Sequence, residues 1–152
     1  MPRPRSLPEE LVLERALQVF WARGFDRTSV ADLSEAVGLG PSSLYNAFGS
    51  KLDIFRRAIA HYMGTHAAFA EQLLTQRDDL DACALVRQLL RSAVRLYAGD
   101  ASPRGCAMFE GAGAGSPDES EACATTAEHK HTLEKLLTRR LQARARAGDA
   151  LA

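Results

Sequence analysis

Apolar side chains recur at Leu13, Ala16, Leu17 and Phe20, three or four residues apart, and the pattern stops at Gly24. This spacing marks one face of an α-helix. Ser6 followed by Glu9 has the reciprocal capping pattern, so the first helix is predicted over about Leu7 to Arg23. Thr28 or Ser29 can cap a second, short helix in which Val30, Leu33 and Val37 form the inward stripe and Gly38 gives a left-handed exit. Gly40 and Pro41 suit the cap and first position of a third helix, Pro41 to Phe48, because proline has no amide hydrogen to waste there. Leu44 and Phe48 lie four apart and anchor that helix, leaving Ser42, Ser43, Tyr45 and Asn46 to face outward.

Ser50 with Asp53 repeats the capping pattern ahead of Leu52, Phe55, Ile59, Tyr62 and Met63, which predict a longer linking helix interrupted at Gly64. A further helix is expected from about Asp81 to Tyr97, with Leu85, Val86, Leu89 and Leu90 inward, and a shorter one opening at Ser102-Pro103. The stretch from Gly111 to Pro117 breaks the pattern, and a last helix is expected over roughly Asp118 to Ala147, with Leu133, Leu136, Leu137 and Leu141 on one side. No strand-like alternation of useful length and no repeat of fixed period occur, so the expected fold is all-α. It consists of a three-helix N-terminal head followed by a helical body.

The run Thr28 to Lys51 has the grammar of a helix-turn-helix, whose second helix lies in the major groove of DNA. The expected organisation is a DNA-binding domain over residues 1–50 followed by a helical body over 51–152. Helix N-termini carry unpaired amides and partial positive charge, so Thr28 or Ser29, Ser42 and Ser50 mark places where a phosphate can be held, with Lys51 beside one of them. Tyr45 offers a ring and a hydroxyl, and Ser42, Ser43 and Asn46 can bond to base edges. Arg3 and Arg5 in the Pro-rich start can track a groove or backbone.

Charge modifies this picture only locally. Lys plus Arg and Asp plus Glu both number 19 in 152 residues, so attraction to phosphate must come from placement of charge and not from excess. No apolar run is long enough to cross a bilayer, and the first residues lack the apolar segment of a signal peptide, which gives a cytoplasmic expectation with no membrane partner. Cys83, Cys106 and Cys123 are odd in number and lack CxxC spacing, which suits a reducing compartment.

Other chemistry finds little support. His129 and His131 are two apart, and His61 and His66 five apart, so neither pair has the i, i+4 geometry that brings two imidazoles to one metal on a helix. The Gly111 to Gly115 run lacks the Lys-Ser/Thr of a phosphate loop, and no GxSxG, HExxH or Cys-His-Asn pattern occurs. No metal, cofactor or enzymatic activity is expected. Tyr62, Phe69, Cys106, Met108 and Phe109 are candidate linings of an apolar pocket in the body, against plain core packing. A Cys106 thiol can report oxidants or electrophiles where its pKa is lowered; the plainer reading is a small buried core residue.

Leu13 to Phe20, Gly24-Phe25, Thr28-Ser29-Val30, Asp32-Leu33, Gly38-Leu39, Ser43-Leu44-Tyr45, Phe48 and Ser50-Lys51 resemble, in order and spacing, the N-terminal signature of the TetR family of bacterial transcriptional regulators. The likeness covers about the first 58 residues, and Arg104 to Met108 resembles the short Gly-Cys motif of one branch's ligand-binding domain. The resemblance implies a homodimeric repressor that binds a palindromic double-stranded DNA operator and is released by a small-molecule effector. Carried over by position, Thr28 and Lys51 would hold phosphates, and Ser42, Ser43, Tyr45 and Asn46 would lie at the DNA surface. Gly40 stands where the family often has a Ser or Thr cap, and Ala47 where it often has a His or aromatic residue. Relatives usually extend further, which leads to two expectations: a shortened C-terminus, or a dimer interface elsewhere, such as the Leu133 to Leu141 stripe. A second reading is a shortened protein-interaction module that sequesters a related regulator.

Overall fold

A computed structural model describes residues 7–98, 105–112 and 121–148, and within them the chain forms eight α-helices and no strand. The helices are α1 (Glu9–Arg23), α2 (Val30–Val37), α3 (Pro41–Phe48), α4 (Lys51–Gly64), α5 (Ala68–Gln76), α6 (Ala82–Tyr97), α7 (Ala107–Glu110) and α8 (Glu121–Arg146). The first three make the head, and α4 leads into a helical body.

Helix α1 is the axis of the head because Val12, Leu13, Ala16, Leu17, Phe20 and Trp21 bury one continuous face. It starts at Glu9 behind Pro8, not at Leu7, and the expected Ser6 cap lies outside the described residues, as do Arg3 and Arg5. Removing such a stripe from water is the main stabilising term for a helix of this length. Helix α2 is only 8 residues long and depends on its ends. Ser29 accepts from the Asp32 amide while the Asp32 carboxylate accepts from the Ser29 amide. At the other end Gly38 adopts φ 76°, a left-handed conformation that side chains disfavour, and Arg15 donates to the Val37 carbonyl at 3.2 Å. An ion pair between Arg23 and Asp32 fixes the start of α2 against the end of α1.

Helix α4 packs against α1 over the largest helix–helix contact in the described chain, burying Ile54, Phe55, Ala58, Ile59 and Tyr62. Gly64 ends this helix instead of bending it, and a turn through Thr65 to Ala67 leads into α5. The short α7 docks its Ala107 and Met108 into the same core as α1 and α4, and the Phe25 amide donates to the Gly111 carbonyl at 2.8 Å. The expected helix opening at Ser102-Pro103 lies outside the described residues; the helix found begins four residues later, at Ala107.

A second apolar cluster, Leu73, Leu74 and Leu85, joins α5, α6 and α8. Leu133, Leu136 and Leu137 pack onto it, so most of the stripe expected as a possible dimer surface is turned into its own body. Arg140 and Arg144 of α8 reach the Arg77 to Asp79 turn, with Arg140 paired to the Asp78 carboxylate and Arg144 donating to the Asp78 carbonyl. Leu90 does not face inward: it is 62% exposed. It lies five residues, or about 140° around the helix, from the buried Leu85.

Candidate nucleic-acid interface

Helix α3 is held from behind by two side chains. Leu44 is fully buried and Phe48 nearly so, both in the core formed with Leu33 and Val37 of α2. The other positions project outward: Ser42, Ser43, Tyr45, Asn46 and Ala47 are all exposed, and Tyr45 keeps 41% of its surface. The tight turn over Val37 to Gly40 sets α3 against α2 in the helix-turn-helix arrangement.

The three helix starts in this region differ electrostatically. At α2 and α4 an aspartate closes the cap: Asp32 binds both the hydroxyl and the amide of Ser29, and Asp53 does the same with Ser50. Hydrogen bonds from Ser29 hold the Asp32 carboxyl down to about 2, assisted by Arg23, and those from Ser50 lower Asp53 in the same way. Both ends therefore already carry an anion at neutral pH. Helix α3 has Gly40 as its cap, no side-chain cap bond and no acid in its first turn. Pro41 has no amide proton, so the amides of Ser42 and Ser43 are the donors that this end presents. Among these starts, α3 is the one suited to accept an anion.

Two residues expected at phosphates make hydrogen bonds within the protein. Thr28 is 1% exposed, and its hydroxyl donates to the Gly24 carbonyl at 2.7 Å, tying the α1–α2 loop from within. The Lys51 ammonium donates to the carbonyls of Phe25 and Thr28, both at 3.0 Å, and sits 4.2 Å from the centre of the Phe25 ring. A lysine four carbons long can turn back this way, and two carbonyls plus an aromatic face replace its water. Ser29 is exposed, but its hydroxyl is engaged by Asp32. Arg27, absent from the sequence expectations, is exposed in the same loop with only its Nε bonded, to the Arg23 carbonyl. Its signal is a lone cation directly before the Thr28–Ser29 start of α2.

The five candidate pocket residues do not converge on one space. Tyr62, Cys106 and Met108 are buried together, with the Tyr62 hydroxyl donating to Cys106 Sγ at 3.6 Å. Burial, with the hydrogen bond to Cys106, pushes the Tyr62 phenol far up, and burial likewise raises Tyr97 to about 12. Phe69 belongs to the second cluster and lines a groove of about 250 Å³ between α5 and α6. Phe109 is 63% exposed, with the Lys130 ammonium 3.8 Å from its ring centre. The short α7 presents Ala107 and Met108 to the core, and Phe109, a further 100° around the helix, points away from it.

Among the described residues no helix is long and apolar enough to cross a membrane, and no group of three or more His, Cys, Asp or Glu is placed to hold a metal ion.

Residues 12–58, which include most of α1, all of α2 and α3 and the interface above, match the profile of bacterial regulatory proteins, tetR family. The chain is 37% identical over 109 residues to the HTH-type transcriptional repressor BdcR of Escherichia coli (strain K12), a match covering 72% of this chain and 54% of that protein. It is 30% identical over 134 residues to the HTH-type transcriptional repressor ComR of the same organism, covering 88% and 62%. The chain thus spans little more than half the length of these curated relatives. A solved structure of a cysteine mutant of the TetR family transcriptional regulator CifR, complexed with 26-bp double-strand operator DNA, superposes with a TM-score of 0.86 at 36% identity. That match covers 99% of this chain and 78% of that one. With the head, the order of the helices and the body all shared, the chain belongs to the TetR family of bacterial transcriptional regulators.

Proposed function

We propose that the protein is a DNA-binding transcriptional regulator, a cytoplasmic repressor that acts as a homodimer and leaves its operator when a small molecule engages the body. The observation that carries this reading is the exposed polar face of α3, anchored from behind by Leu44 and Phe48. Residues 1–50 are the DNA-binding domain and 51–152 the ligand-binding and dimerisation domain. Ser42, Ser43, Tyr45 and Asn46 meet the major groove, the open start of α3 holds a phosphate through its amides, and Arg27 and Ser29 flank the backbone. The names of the relatives, two repressors and a regulator solved on operator DNA, support the same reading. In a dimer the two α3 helices are expected about 34 Å apart, one turn of DNA.

This function needs no catalytic group and no cofactor. The effector acts through the packing around Tyr62, Cys106 and Met108, the three pocket candidates that lie together in the core joining α1, α4 and α7. Fluorescence anisotropy with labelled DNA from upstream of the protein's own gene tests the reading. Saturable binding that weakens steeply with salt is expected; absence of such binding overturns it.

A further inference from the structure

Three side chains from different parts of the chain meet at the junction of head and body. Glu14 projects from α1, His61 lies in the last turn of α4, and His66 lies in the turn before α5. His61 Nε2 is 2.9 Å from Glu14 Oε2, and His66 Nε2 is 3.0 and 3.1 Å from the two carboxylate oxygens. Spacing of five residues would separate the two imidazoles on a continuous helix; they converge because α4 ends at Gly64 and the chain turns. Side-chain exposure is 15% for His61, 26% for His66 and 33% for Glu14, so the group is screened by water only in part.

The hydrogen-bond inventory fixes the protonation chemistry. Gln18 Nε2 also donates to Glu14, at 2.8 Å. Burial disfavours the Glu14 carboxylate, but the bonds from Gln18, His66 and His61 outweigh it and lower its pKa, so the group is a carboxylate at neutral pH. A carboxylate only accepts, so each facing Nε2 carries its hydrogen and each Nδ1 is left to take up a proton. Protonation at Nδ1 therefore breaks neither bond to Glu14; it turns a neutral contact into a charge-assisted one. The C-terminal end of α4 adds partial negative charge beside His61.

The remaining neighbours leave that balance intact. From α1 only Glu14 and neutral Gln18 bond to the imidazoles' site, while Glu9 is occupied by Arg57 of α4 at 3.2 Å. Thr65 donates to the His61 carbonyl at 2.6 Å, not to its ring. His66 is packed by aromatic faces, stacked on Tyr62 and edge-on to Trp21, with ring centres 5.9 Å away in each case. The Tyr62 hydroxyl is turned to Cys106. One carboxylate facing two imidazoles compensates one added proton, and a second would meet an imidazolium.

We propose that Glu14, His61 and His66 form a one-proton clasp that ties the head to the body more firmly as pH falls through the histidine range. Neutral at higher pH, the clasp holds by ordinary hydrogen bonds; with one proton bound it holds α1 to the α4–α5 junction by an ion pair. Where the head is the DNA-binding part, as proposed above, this makes its attachment to the body responsive to pH.

Trp21 is the only tryptophan in the chain and touches His66, so its emission reports the imidazole directly, because imidazolium quenches indole. Acidifying the intact protein from about pH 8 to about pH 5 is expected to quench Trp21 in a single step of one-proton slope. Glu14→Gln should move the midpoint down, because the imidazolium loses its carboxylate partner, and His66→Gln should remove the step. Proton NMR of the wild-type imidazoles is independent of any variant's folding, and it should show His61 and His66 sharing one proton over that step. The proposal is overturned by a midpoint unchanged in folded Glu14→Gln, by no quenching, or by two independent one-proton titrations. These readouts need no DNA, so they succeed or fail separately from the operator-binding reading.

Discussion

The ammonium of Lys51 lies 3.0 Å from the carbonyl oxygen of Thr28, so the first residue of α4 points back into the head. With its second bond to Phe25 and the Phe25 ring beneath it, Lys51 staples the α1–α2 loop to the start of α4. Lys51→Ala should destabilise the fold by about 1.5–3 kcal/mol, the range for hydrogen bonds to a charged group, measured by urea unfolding. If Lys51 made a phosphate contact instead, its removal would lower the salt slope of DNA binding by about one. The slope is expected to stay unchanged.

Tyr45 should behave in the opposite way. The residue is 41% exposed on the outer face of α3, so Tyr45→Ala opens no cavity and should change stability by no more than about 0.5 kcal/mol. Loss of one good contact in the groove should weaken operator binding roughly tenfold. Anisotropy and thermal unfolding of the same variant separate the two effects, and a large loss of stability would place Tyr45 in the packing.

The contrast between these two residues shows what could be read from the sequence. Leu44, Phe48 and the Gly40-Pro41 start are local signals, three or four residues apart on one helix, and α3 follows from them together with its outward face. The role of Lys51 depends on carbonyls of the α1–α2 loop, 23 and 26 residues away in the chain, and no helical period encodes that meeting. The same limit separates Phe69 and Phe109 from Tyr62, because the turn ending α4 and the four-residue α7 decide which way each ring faces. Glu14 with His61 and His66 is equally hidden, since five-residue spacing separates the imidazoles on a continuous helix and only the turn after Gly64 brings them together.

Caps give a prediction with a defined pH sign. Ser29→Ala removes the hydroxyl that accepts from the Asp32 amide and should cost about 1 kcal/mol, or roughly 3 °C in Tm. Asp32 has its carboxyl lowered to about 2 in the folded chain, so its stabilising contribution is complete above the ordinary aspartate value of about 4. That contribution is lost as pH falls from there through about 2. The Tm difference between wild type and Asp32→Asn should therefore narrow across that window and remain constant above it, as read by circular dichroism.

Cys106 offers a test of the body. It is 7% exposed, takes a hydrogen bond from Tyr62 and packs in the core joining α1, α4 and α7, whereas Cys83 and Cys123 are only partly buried. A thiol reagent must therefore wait for the body to open before it reaches Cys106, while the other two are reached from the folded state. Native labelling followed by peptide mass analysis should modify Cys83 and Cys123 first, with Cys106 slower by at least about tenfold. Tyr62→Phe keeps the ring but removes the hydroxyl, so the thiol should stay protected if packing is what shields it. Labelling of Cys106 as fast as that of Cys83 in the wild-type protein would mean that the α7 face opens readily, and the core described around Tyr62 would then be the accessible part of the body.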